Sequence, residues 1–281
     1  QPPPTSQEHA VNRTGKTLTS AGGIIVAVLA AWAVAAPESI GVSAAPAGRS
    51  ETKSDESAEG PKGAGGAKSA KSVLWDGDAS NGLGVFGTTL CDAPGSVTVD
   101  NWGTARGDFF KFNKPIGVPR CEAHNVRTGS GEYAFRNGST YWFGWDSMTK
   151  TGDAQTVFQW KSNGTNDQHS QNYPVIMKVE DGRLKVWYVA PGEEWISIGS
   201  AAWSSGAWHS IQLGITTSSA SSGKLSVYLD GQEIASRSGA RTWDDLGNKP
   251  RWGTYWGTDA STASINWIDG LAMGEARADV D

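Results

Sequence analysis

From Ser72 onward the chain shows no sustained apolar period of 3.6 residues; apolar positions instead recur with the two-residue alternation of strands. Ser96 to Trp102 alternates, Asp108 to Lys114 carries Phe109, Phe110 and Phe112, and Thr140 to Met148 carries Tyr141, Trp142, Phe143 and Trp145. Pro174 to Glu180 and Arg183 to Ala190 flank Asp181-Gly182, which predicts a two-residue hairpin turn. Trp208 to Thr216 alternates again, and Lys224 to Leu229 and Gln232 to Ala235 flank a second such turn, Asp230-Gly231. Ser264 to Met273 closes the series. About a dozen strands in about 210 residues predict an all-β domain, a two-sheet antiparallel sandwich or jelly roll.

The preceding part of the chain differs in kind. Thirteen of the 14 tryptophans fall after Ser72, so the aromatic core belongs to residues 72–281. Within 1–46, Arg13 and Lys16 precede the apolar run Ile24 to Ala36, and small residues follow at Val42-Ser43-Ala44-Ala45-Pro46. This is the layout of a secretory signal, cleaved near Ala44 or Ala45. The alternative is a membrane anchor, for which the run is short. The long stretch before Arg13, on a chain opening with Gln, leads us to expect the start codon elsewhere. Residues 47–71 are mainly Gly, Ala, Ser, Lys and Glu, without an aromatic. They bury too little apolar surface to offset their ordering entropy, and we expect a disordered linker. The expected product is secreted, monomeric and without stable membrane association once the signal is removed.

Charge and cysteines narrow the picture. The formal net charge of −5 gives no reason to expect a nucleic-acid partner. Cys91 and Cys121 are an even pair, which in an exported chain suggests one disulfide; two buried thiols are the alternative. A bridge would stabilise by roughly 3 kcal/mol on the chain-entropy estimate.

Three polar strands carry candidate chemistry. Arg120, Glu122 and His124 are spaced i, i+2, i+4 and share one face. A solvated outer face with an ordinary ion pair is one explanation; the other is that Glu122 orients Arg120 while His124 serves proton transfer or charge neutralisation. Gln159 and Lys161 share a face, backed by Phe158 and Trp160. Arg251, Gly253 and Tyr255 share another, and the missing side chain at Gly253 suggests room for a ligand against the backbone. Amide, guanidinium, imidazole and phenol on neighbouring strands suit β-elimination beside a uronic acid. There the substrate carboxylate must be neutralised, a carbon-bound proton removed and the leaving oxygen protonated. Hydrolysis would need two carboxyl groups flanking the bond, and the polar strands offer only Glu122.

The hairpin Leu225 to Gln232, preceded by Ala207-Trp208-His209-Ser210-Ile211, and the strand Asn266-Trp267-Ile268-Asp269-Gly270 resemble the back half of the concanavalin-like jelly roll. Over most of Ser72 to Gly274 the domain resembles jelly-roll polysaccharide lyases of the glucuronan lyase and heparin lyase I type, and more distantly the jelly-roll alginate lyases. The alginate enzymes carry Arg-x-Glu-x-Arg, matched at Arg120 and Glu122 with His124 in place of the second Arg. Their Gln-x-His is matched at Gln159, with Lys161 in the His position. Their Lys-Ala-Gly-x-Tyr is matched at Gly253 and Tyr255, with Arg251 for Lys. The heparin lyase type also places a basic residue four before its catalytic Tyr, as Arg251 stands to Tyr255.

The resemblance implies that Tyr255 is the acid and a candidate base, that Gln159 and Arg120 neutralise the carboxylate, and that His124 or His169 replaces the missing histidine. It further implies that Asn172, Tyr173 and Lys178 line subsites for an acidic polysaccharide, glucuronan-like by preference. No cofactor is needed for the chemistry; the resemblance admits an oxygen-ligated structural calcium, with Asp269 as candidate ligand. A non-catalytic carbohydrate-binding module of the same fold is the competing function, with Trp252, Trp256 and Tyr173 as sugar platforms.

Overall fold

The computed structural model describes residues 72–281 apart from 154, 165–170 and 257–260. Sixteen strands make up nearly all of its regular structure. In chain order they are β1 (Val73–Asp76), β2 (Phe86–Cys91), β3 (Ser96–Asn101), β4 (Asp108–Lys114), β5 (Arg120–Thr128), β6 (Gly131–Glu132), β7 (Thr140–Thr149) and β8 (Gln155–Ser162). They continue as β9 (Val175–Glu180), β10 (Arg183–Ala190), β11 (Glu194–Ala202), β12 (His209–Thr216), β13 (Gly223–Leu229), β14 (Gln232–Ala240), β15 (Asn248–Tyr255) and β16 (Ser264–Gly274). The alternating segments thus fold as strands; β1, β2, β6 and β11 are additions to those the pattern foretold.

Hydrogen bonding runs β2-β5-β15-β8-β9-β10-β11 through one layer and β14-β13-β12-β7-β16-β4-β3 through the other. The layers are joined along this path by a single β11–β14 residue pair, Gly199 with Ala235. Both predicted hairpins form, and at each the Asp-Gly dipeptide takes positive φ at both positions: 54° and 65° at Asp181-Gly182, 50° and 81° at Asp230-Gly231. That matches the right-handed twist of the flanking strands.

The core lies between the layers. Phe143 and Trp145 of β7 meet Phe158, Trp160 and Trp252 of β8 and β15, with Trp145 stacked on Phe158 at 5.3 Å between ring centroids. Polar ties cross it as well: Trp160 Nε1 donates to the Thr242 carbonyl at 2.8 Å, and Asn266 Nδ2 to that of Gly253 at 2.7 Å. Because side chains alternate, burying Phe158, Trp160, Cys121, Ala123 and Trp252 in this core turns Gln159, Lys161, Arg120, Glu122, His124, Arg251 and Tyr255 to the opposite face of the layer.

Cys91 and Cys121 stand opposite each other on β2 and β5 and are bridged. The bridge fastens β2, which ends this layer, to its only strand neighbour along the path.

Candidate active site

Register brings the three polar strands side by side. On β15, Arg251 lies opposite His124 of β5 on one side and Gln159 of β8 on the other, Gly253 lies opposite Glu122, and Tyr255 lies opposite Arg120. A cleft of about 310 Å³ opens over them, lined by Leu90, Arg120, Gln159, Lys161, Asn172, Tyr173, Arg251 and Tyr255. Seven predicted residues thus line one cavity, with Leu90 as the eighth. The hydrophobic Leu90 was not foreseen, because β2 lacks a clean apolar alternation.

Glu122 is the anion beneath this cleft. Its side chain is 3% exposed, and its Oε1 accepts a hydrogen bond from Gln159 Nε2 at 2.5 Å. Its Oε2 lies 3.7 Å from Arg120 Nη1, 3.9 Å from Arg251 Nη1 and 3.8 Å from His124 Nε2, and receives no hydrogen bond. One carboxylate therefore faces two guanidiniums and an imidazole. Glu122 thus lies within ion-pair range of Arg120, as foreseen, but its direct hydrogen bond goes to Gln159. The Arg120 guanidinium lies over the Tyr255 ring, 4.7 Å from its centroid. The guanidinium is held there by attraction to the face of the ring. Burial pushes the Arg251 guanidinium below its ordinary value, and Arg120 nearby adds to the effect while Glu122 opposes it.

Lys161 does not reach freely into the cavity. Its ammonium donates to the backbone carbonyls of Ser162, at 3.3 Å, and Gly164, at 3.2 Å, and to Asn172 Oδ1. Burial, then repulsion from Arg251, lowers its pKa to about 8. Asn172 is drawn into the wall by the same contact, and its carbonyl accepts from Ser162 N at 2.7 Å. Tyr173 stands at the wall with its phenol pushed up by burial and by Glu193. His169 lies outside the described residues.

Several expectations are corrected. Trp252 is fully buried, in contact with Trp75, Phe86, Phe143 and Phe158, so it is a core residue and no sugar platform. Gly253 does not make room for a ligand. A Cβ there would stand 2.2 Å from the Cys121 carbonyl oxygen and 2.9 Å from Phe112, and its φ is +140°. Glycine is required because β15 bulges and approaches β5 closely. His124 is buried and does not line the cleft; it sits behind Glu122, its pKa lowered chiefly by burial.

Asp269 lies on the other layer. Its carboxylate accepts from Arg106 Nη1 at 2.8 Å and from Gly270 N at 2.8 Å, and the same guanidinium reaches Asp146 at 2.9 Å. A guanidinium thus fills the cationic position, and among the described residues no group of three or more His, Cys, Asp or Glu side chains is arranged to hold a metal.

A family model described as polysaccharide lyase matches residues 77–272, which takes in every element of the cleft. The chain belongs to this family. No curated protein sequence matches the lyase. Among solved structures, it is similar to an endo-β-1,4-glucuronan lyase from the fungus Trichoderma reesei, with 18% identity and a TM-score of 0.60, over 75% of this chain and 98% of that one. It is also similar to an alginate lyase of polysaccharide lyase family 7, with 15% identity and a TM-score of 0.50, over 64% of this chain and 83% of that one. At such identities these likenesses establish the jelly-roll fold of the lyase.

Proposed function

We propose that this polysaccharide lyase is an exported enzyme that cleaves a glucuronan-like polymer of uronic acid by β-elimination. The observation that carries the reading is the make-up of the cleft. Tyr255, Gln159, Arg120 and Arg251 converge on one cavity whose described lining holds no Asp or Glu. A uronate carboxylate placed there meets two guanidiniums and an amide, while the carboxyl pair that hydrolysis needs is missing. The fungal glucuronan lyase, the better structural match of the two, supports glucuronan over alginate. The Cys91–Cys121 bridge supports an oxidising compartment and hence export.

The residues divide the reaction as follows. Gln159 Nε2 already gives one hydrogen to Glu122 and has a second for the substrate carboxylate. Arg120 and Arg251 stabilise the charge that spreads onto that carboxylate when C5 loses its proton. The C5–H electron pair becomes the C4–C5 double bond, the C4–O bond breaks, and the leaving oxygen takes a proton. Tyr255 supplies that proton; as phenolate it also accepts the one from C5, so that no net proton is gained or lost by the enzyme. His124, behind Glu122, acts as a positioning residue in this scheme.

Glucuronan, alginate and heparin incubated with the purified protein separate the possibilities. Ultraviolet absorbance from the unsaturated uronate is expected with glucuronan first. Reducing ends without absorbance would mean hydrolysis, and binding without either would mean a non-catalytic module; each would overturn the proposal.

A further inference from the structure

The row of residues that contains Tyr255 continues across the sheet. Tyr255 of β15 is opposite Thr156 of β8, Thr156 is opposite Lys178 of β9, and Lys178 is opposite Lys185 of β10. The two lysines differ in their surroundings. Lys185 bonds Glu180 at 3.1 Å and Asp181 at 2.6 Å. Lys178 has no carboxylate within ion-pair distance among the described residues. Its ammonium lies instead between two indoles, 4.8 Å from the ring centroid of Trp195 and 5.9 Å from that of Trp256. Trp195 is 39% exposed and packs on Tyr173, at 5.6 Å, and on Trp187, at 5.9 Å. Tyr173 in turn lines the cleft. The aromatic floor around Lys178 is therefore continuous with the cavity.

A half-buried ammonium with no ion-pair partner among the described residues, beside an exposed indole, is a receptor for a ring that carries a carboxylate. The spacing indicates which ring. Neighbouring strands lie about 4.8 Å apart, close to the length of one pyranose unit in a 1,4-linked chain. Lys178 is two strands from Tyr255, so a polymer running across the strands places there the ring two units from the one at Tyr255. In a β-1,4-linked chain alternate rings face the same way, so that ring presents its carboxylate to the same wall.

Resting on the lyase reading above, we propose that Lys178, Trp195 and Trp256 form a distal subsite that clamps the carboxylate of a uronate two units from the one held at Tyr255. Trp195 supports the ring face, and Lys178 takes the carboxylate. The subsite makes the enzyme favour chains long enough to reach β9 over short oligomers, and uronate over neutral sugar at that position.

The test uses the full chain and β-1,4-linked oligoglucuronates of increasing length, with kcat and KM measured separately by absorbance. In the wild type, kcat/KM is expected to climb as the oligomer becomes long enough to occupy the subsite. Lys178→Met is expected to remove roughly tenfold of that climb, through KM and not kcat, while Lys178→Arg restores most of it. Trp195→Ala is expected to reduce it in the same way. A climb that survives Lys178→Met, or a loss in kcat equal at every length, would overturn the subsite while leaving the lyase reading standing. If no uronan yields unsaturated product with the wild type, the lyase reading itself fails, and the subsite with it.

Discussion

The carboxylate of Glu122 and the amide of Gln159 join at 2.5 Å although they stand on β5 and β8, with β15 running between them. On that intervening strand Gly253 lies opposite Glu122 and Arg251 lies opposite Gln159. The bond ties the floor of the cleft together and leaves Arg120, Arg251 and His124 all facing one anion. Glu122→Gln removes that anion and leaves two guanidiniums in mutual repulsion. Breaking a buried charge cluster costs about 3–5 kcal/mol, so we expect a lower Tm together with a large loss of activity. Thermal unfolding and initial rates on the same preparation check this; wild-type values in both would refute the central role given to Glu122.

Tyr255→Phe keeps the ring under Arg120 and removes only the hydroxyl. If the phenol carries the proton, activity falls by roughly 10²–10⁴-fold while Tm changes little. Absorbance assays and thermal unfolding decide it, and a fully active variant would remove Tyr255 from the chemistry.

Lys161 links activity to pH. With its pKa lowered to about 8, its charge is lost as pH rises through that value. The cleft then attracts a polyanion less, so KM is expected to rise above pH 8. Lys161→Met is expected to show a higher KM throughout and no such inflection. Stability moves the other way: the unfolded lysine, with its ordinary value of 10.5, binds more protons between about 8 and 10.5, so this group favours the fold increasingly as pH rises there. Pairing KM profiles with unfolding curves across that window checks both signs.

His124 acts in the acid range. Burial, the largest influence, holds its pKa below the ordinary 6.5. Below pH 6.5 the unfolded chain takes up a proton that the folded chain resists, so the domain loses stability as pH falls from there towards the lower folded value. His124→Asn is expected to flatten this part of the stability profile. An unchanged acid limb in that variant would show that other groups set it.

Trp252→Ala separates a core residue from a sugar platform. A buried tryptophan truncated to alanine costs about 3–5 kcal/mol, so the expected outcome is severe destabilisation. Trp252→Phe is expected to retain substrate affinity with a smaller drop in Tm. Lost affinity at an unchanged Tm would restore the platform reading.

Most of the architecture was legible because strand physics is local. The Asp-Gly turns require left-handed backbone, and the i, i+2, i+4 spacing put Arg120, Glu122 and His124 on one face. Alternation also placed Trp252 opposite Arg251, which argues against its use as a sugar platform. What alternation does not give is depth. That His124 lies behind Glu122, and that Lys161 is bound up in the carbonyls of its own loop, depends on neighbouring strands and turns. The Glu122–Gln159 bond joins residues 37 apart in sequence across a third strand, and spacing along one strand gives no sign of it. Strand β11 escaped notice because its residues are all exposed or half-exposed and its pattern is mixed, and with it went the partner of Lys178, Trp195.

The Cys91–Cys121 bridge matters beyond stability. Leu90, next to Cys91 on the terminal strand β2, lies opposite Glu122 and forms one lip of the cleft. That lip is sewn to β5 at its end by the covalent link. Chain folded in a reducing cytosol would lack the stitch and carry a loosened hem beside the residues proposed to hold the substrate. For recombinant work, the choice of host compartment thus becomes a choice about the catalyst's shape as well as its yield.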